Sequence, residues 1–180
     1  MLDWLLTKFK SKTANIEIES TSESVLTPAP PPDDETPSNC CESVVTESGE
    51  INFCGLMLEQ TIAEHHDFLY ELNKALAQKL PEAYNPEVVG AQDLCKVGKW
   101  LFHKAKPLER YSEYAKLVET HRQFHACAAE VVRLHKNGQF MDALTLLRTD
   151  LQQLSEEVEA GLRRLHEQVQ ADKAAQSDNA

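Results

Sequence analysis

From Phe53 onward, apolar residues recur at alternating steps of three and four, and a chain with that period buries them on one side only by coiling into helices. The last segment shows it best. Phe140, Leu144, Leu147, Leu151, Leu154, Val158, Leu162, Leu165 and Val169 share one face of a predicted helix of about eight turns. Asn137-Gly138 bounds it on one side and a polar tail from near Asp172 on the other. A second seam runs Tyr114, Val118, positions 121 and 125, Ala128 and Val132; a third runs Leu58, Ile62, position 65, Leu69, Leu72 and Leu76. Between these two, Pro81, Pro86, Gly90 and Pro107 break the pattern around a shorter helix at roughly 92–104. Three long amphipathic helices, one short helix and short connections predict an all-α fold, an antiparallel four-helix bundle that includes the short helix.

The first fifty residues are different material. They hold 10 Asp/Glu against 3 Lys, and Pro28, Pro30, Pro31 and Pro32 lie almost together in a Ser/Thr/Glu-rich run. Such a composition buries too little apolar surface to offset its ordering entropy. The expected organisation is a short amphipathic segment at 1–11, a disordered acidic, Pro-rich linker at 12–50, a helical bundle at 51–172 and a polar tail at 173–180. In the first of these, Leu2, Leu5, Leu6 and Phe9 fall on one side of about three helical turns, as a docking or membrane-surface peptide or as a short helix that frays.

A net charge of -11 argues against binding nucleic acid or an anionic membrane. No apolar run reaches the roughly 18 to 20 residues of a spanning helix, and the N-terminus has no secretory pattern, so a cytoplasmic protein is expected. Five cysteines, Cys40, Cys41, Cys54, Cys95 and Cys127, form an odd set at irregular spacing, which predicts reduced thiols, with metal binding by one or more.

The unnamed seam positions are histidines: His121 and His125 on one helix and His65 on another. Four residues apart, His121 and His125 present two imidazoles on one face, one turn apart. His65, rather than His66, keeps Leu58, Ile62, Leu69, Leu72 and Leu76 in register. Buried imidazoles stay neutral, and neutral imidazole is what zinc binds. Cys95, at the start of the short helix, is the candidate fourth ligand. A three-His, one-Cys shell would be tetrahedral, with Zn–S about 2.3 Å and Zn–N about 2.0 to 2.1 Å.

Three pieces carry a family resemblance: His65-His-Asp-Phe68, Cys95-Lys-Val-Gly-Lys-Trp100 and His121-Arg-Gln-Phe-His125. In this order they resemble the chemoreceptor zinc-binding (CZB) domain over about residues 55–170. The resemblance implies His65, Cys95, His121 and His125 as ligands to one zinc ion in a helical bundle. It also implies a dimeric signalling module that responds to zinc or to oxidants such as hypochlorous acid, in chemotaxis or cyclic-di-GMP signalling, through a partner protein. Relatives commonly carry a chemoreceptor signalling region or a diguanylate cyclase; these 180 residues hold neither. Glu64 stands where relatives often have Asp.

His66, His103, His135 and His166 lie off the seams and are expected at the surface, Cys127 in packing, Gly98 at a close helix approach, and Trp100 in core over the metal site. Four protein ligands leave no open metal position, so no enzymatic activity is expected. A zinc sensor and a zinc-stapled dimerisation domain without switching are the two functional readings.

Overall fold

The computed structural model describes residues 43–78 and 84–178; the expected segment at 1–11 and most of the expected linker lie outside them. The described residues are predominantly helical, with a small sheet. Strands β1 (Ser43–Val45), β2 (Ile51–Phe53) and β3 (Leu56–Met57) pair antiparallel in the order β1-β2-β3. Helix α1 (Leu58–Ala77) follows directly, then the short α2 (Pro86–Val89) and α3 (Lys96–Phe102), a 3-10 turn at Lys106–Leu108, and α4 (Ser112–Lys136). Helix α5 (Phe140–Leu146) runs through a π turn at Leu147–Leu151 into α6 (Gln152–Ser177).

The sheet corrects the all-α expectation. Cys54 and Gly55 both have positive φ, 49° and 75°, which makes a tight two-residue hairpin between β2 and β3. Register pairs Phe53 with Leu56, and both side chains are fully buried. The linker boundary expected at residue 50 falls inside this hairpin set, because Ser43–Val45 pairs with Ile51–Phe53. The helix also runs on to Ser177, past the expected start of the tail.

The three long helices pack around one core. Arg164 on α6 reaches Glu113 on α4, and Tyr111, just before α4, reaches Asp172, so these two helices run antiparallel. Arg163 bonds Glu59 and His65 bonds Ser155, so α1 is antiparallel to α6 as well. His135 near the end of α4 bonds the Leu76 carbonyl near the end of α1, which sets those two parallel. Two helices of four and seven residues and a 3-10 turn occupy the return path, where a four-helix bundle would place a long helix.

The seams hold with one shift. Leu58, Ile62, Leu69 and Leu72 are buried on α1, and Tyr114, His121, His125, Ala128 and Val132 on α4. On the last helix the buried residues include Ala143, Leu147, Leu151, Ser155, Val158, Leu162, Leu165 and Val169, while Phe140 is exposed and Leu154 only half-buried. Three successive steps of four, from 143 to 155, follow from the π turn, which widens the helix by about one residue. Its effect is to turn Ser155 inward where a regular three-four alternation would have placed Leu154.

Candidate metal centre

Cys95 stands at the N-cap of α3, and its sulfur accepts the Gly98 N–H at 3.2 Å. The bend that allows this needs Gly98. A Cβ there would sit 1.7 Å from the Gln92 carbonyl oxygen and 3.2 Å from His121 Cε1. Without one, α3 closes against the loop before it and carries the thiol to α4. Lys96 pairs with Glu64 at 3.2 Å and ties the same turn to α1. Glu64 bonds no site histidine, so its carboxylate acts through this tether.

On α4, four-residue spacing stacks His121 and His125 as expected, with ring centroids 4.7 Å apart. Cys95 Sγ lies 3.1 Å from His121 Nε2. One ligand atom from each of Cys95, His121 and His125 falls within 4.8 Å of the others, a group compact enough to surround one ion. His125 donates its Nδ1 proton to the Val89 carbonyl at 2.7 Å, which leaves Nε2 as a lone pair, buried and without a partner among the described residues. A carbonyl that fixes the tautomer in this way is a common support for a metal-binding imidazole.

His65 lies beside this group and outside it. Its Nδ1 shares a 3.0 Å hydrogen bond with Ser155 Oγ, its ring packs 4.2 Å from that of Phe124, and its Nε2 is buried without a partner. The structure thus brings together three of the four expected residues and holds the fourth alongside with a nitrogen unspent.

Burial sets the protonation of the cluster. It lowers the His65 pKa to about 3 and that of His121 to about 2, with the neighbouring imidazoles adding to both shifts, and it lowers His125 against the Val89 bond. It raises the Cys95 thiol, which the Gly98 and Val97 N–H groups oppose. Neutral imidazoles with buried, unpartnered nitrogens beside a thiol are costly in an apolar core and are the donors a borderline-soft divalent cation takes. The group fits zinc.

Residues 65–132 match the family model of the chemoreceptor zinc-binding domain. The match opens at His65 and takes in Cys95, His121 and His125. No curated protein and no solved structure matches the chain. Within the matched residues, Val89, Gln92 and Gly98 shape the site through backbone atoms, and Ser155 bonds His65 from beyond them.

The other expected placements divide. His66 and His103 are exposed, whereas His135 is tied to the Leu76 carbonyl and His166 packs edge-on to Phe53 and bonds Ser43 Oγ at 2.8 Å. Trp100 is buried, but its indole N–H donates to the Cys54 carbonyl at 3.1 Å and its ring lies against Phe53. Cys95 and Cys127 are free, and burial pushes the Cys127 thiol up to about 11. Cys54 is disulfide-bonded, contrary to the expectation of reduced thiols, its partner lying outside the described residues.

Proposed function

We propose that the chain is a zinc-binding sensory or regulatory module in which Cys95, His121, His125 and His65 hold one zinc ion and whose metal state is read by a partner protein. The observation that carries this reading is the convergence of one thiol and two buried imidazoles inside a chemoreceptor zinc-binding segment. His65 completes the shell: Ser155 occupies its Nδ1, and the unpartnered Nε2 is the lone pair left to give. Bound zinc supplies the positive charge that keeps a thiolate stable among neutral imidazoles. Four protein donors leave no open position, so the module binds and does not turn over substrate.

Two features favour switching over a fixed staple. Cys95 caps a seven-residue helix between loops, so the segment around it can open while α1, α4 and α6 stay packed. It is also the one oxidisable ligand. With hypochlorous acid, the sulfur electron pair takes chlorine and releases hydroxide, and water then displaces chloride and a proton to leave sulfenic acid, which no longer serves as a thiolate ligand. Chemotaxis and cyclic-di-GMP signalling are the outputs this reading connects to, with a two-fold dimer as the transmitting form and the cytoplasm as the compartment.

The staple reading draws on the depth of the site, since His121 is completely buried and its Nδ1 lacks a partner among the described residues. Metal content and light scattering, measured together before and after a chelator, separate the two. A sensor holds one zinc per chain and, without it, keeps its helices while changing its association. A staple unfolds. Zinc that is unchanged in Cys95→Ala, or lost in His66→Ala, would overturn both.

A further inference from the structure

We propose that the groove between α1 and the π turn binds a small organic carboxylate with an apolar body, and that Arg148 reads the carboxylate. The groove is a cavity of 350 Å³, at the small end of ligand pockets, with Leu69 and Leu147 as its buried floor and Tyr70, Asn73, Arg148 and Gln152 around it.

Arginine accounting singles the place out. The chain has six arginines. Arg110, Arg122, Arg133, Arg163 and Arg164 each pair with a carboxylate, to Asp172, Glu119, Glu130, Glu59 and Glu113 among others. Arg148 alone has no carboxylate partner among the described residues, on a protein whose net charge is -11. Its guanidinium keeps the planar donor fork that matches a carboxylate in two parallel hydrogen bonds. The amide of Asn73 and the hydroxyl of Tyr70 also have no hydrogen-bond partner among the described residues, whereas the Gln152 amide is spent on Glu156 and His66 on Glu159.

Shape and charge narrow the ligand. The Tyr70 ring, 65% exposed and with Lys74 Nζ 6.0 Å from its centroid, lines the groove together with Leu69 and Leu147, and these apolar surfaces suit an aromatic or branched aliphatic body. One cation on an acidic surface balances a single negative charge; a phosphate dianion would need more. The π turn that orients Ser155 also sets Arg148 beside the buried Leu147, and π turns inside helices frequently mark functional sites. Neither the groove nor its ligand depends on the zinc reading.

The test is titration of the full zinc-treated chain with benzoate, followed by amide and side-chain NMR, with benzamide and phenyl phosphate as comparison probes. Expected are saturable shifts confined to the α1 and π-turn residues around the groove, with a Kd on the order of 1 mM. Arg148→Gln should weaken benzoate roughly tenfold, and benzamide should bind the unaltered protein as weakly. Arg122→Gln, on α4, should change nothing. Non-saturating shifts, equal binding of benzamide, tighter binding of phenyl phosphate, or undiminished benzoate binding by an Arg148→Gln protein of unchanged helical content would each overturn the assignment.

Discussion

His65 keeps its Nε2 buried and without a partner among the described residues while Ser155 holds its other nitrogen. Ser155→Ala leaves that nitrogen unpaired in the core, and zinc affinity should fall about tenfold or more, as when the outer partner of a metal-binding histidine is removed; competition with a chromophoric chelator measures it. Affinity within twofold of the unaltered chain would show that the serine does not orient the ring. Gly98→Ala should be more severe. Its Cβ meets a backbone oxygen that cannot yield without moving the loop, so zinc binding and α3 should be lost together, seen as loss of hydrogen-exchange protection from Cys95 to Phe102. At this scale three side chains that the structure brings together were legible, His121 and His125 from seam register and Cys95 from its place at the start of the short helix, while His65 falls alongside them. Their supports were not, because the Val89 carbonyl and the Gln92 oxygen act through backbone approach, and a serine one position off a leucine seam carries no signal of its own.

Among the elements, the π turn determines which residue faces His65. Deleting Thr149 should restore regular α spacing, bring Leu154 toward the core and turn Ser155 aside. Zinc affinity should then fall at least as far as in Ser155→Ala while helix content by circular dichroism stays the same. Equal affinity would mean that the helix register does not reach the site. No residue type at 147–151 announces a π turn; it shows only as a third step of four in a pattern that otherwise alternates, which is why the helix was legible and its shift was not. The hairpin was hidden for a different reason. Acid, Ser and Gly in 42–50 read as linker, while pairing with Ile51–Phe53 depends on burying Phe53 against Trp100 and His166. A chain beginning at Ile51 should therefore keep its helices and zinc but lose roughly 1–2 kcal/mol of stability to denaturant, with the β1 ladder and the Ser43 to His166 bond gone. Unchanged stability would show that β1 adds nothing to the domain.

For the whole molecule, zinc stabilises the folded state by mass action, about 2.7 kcal/mol at a free concentration about a hundred times Kd. Removing it should lower the melting temperature while the three long helices persist, since their contacts rest on Leu72, Leu117, Val131, Leu151 and Leu165 rather than on the cluster. Hydrogen exchange should rise first in residues 84–104. Uniform loss of protection across α1, α4 and α6 would favour the staple. All of this depends on four side chains sharing one ion, which X-ray absorption at the zinc edge of the metal-loaded full chain tests most directly. One sulfur at about 2.3 Å and three nitrogens at about 2.0 to 2.1 Å are expected, with the sulfur shell lost in Cys95→Ser and one nitrogen replaced or lost in His65→Ala. A shell of nitrogen and oxygen alone, a second sulfur, or a spectrum untouched by His65→Ala would contradict the four-ligand centre.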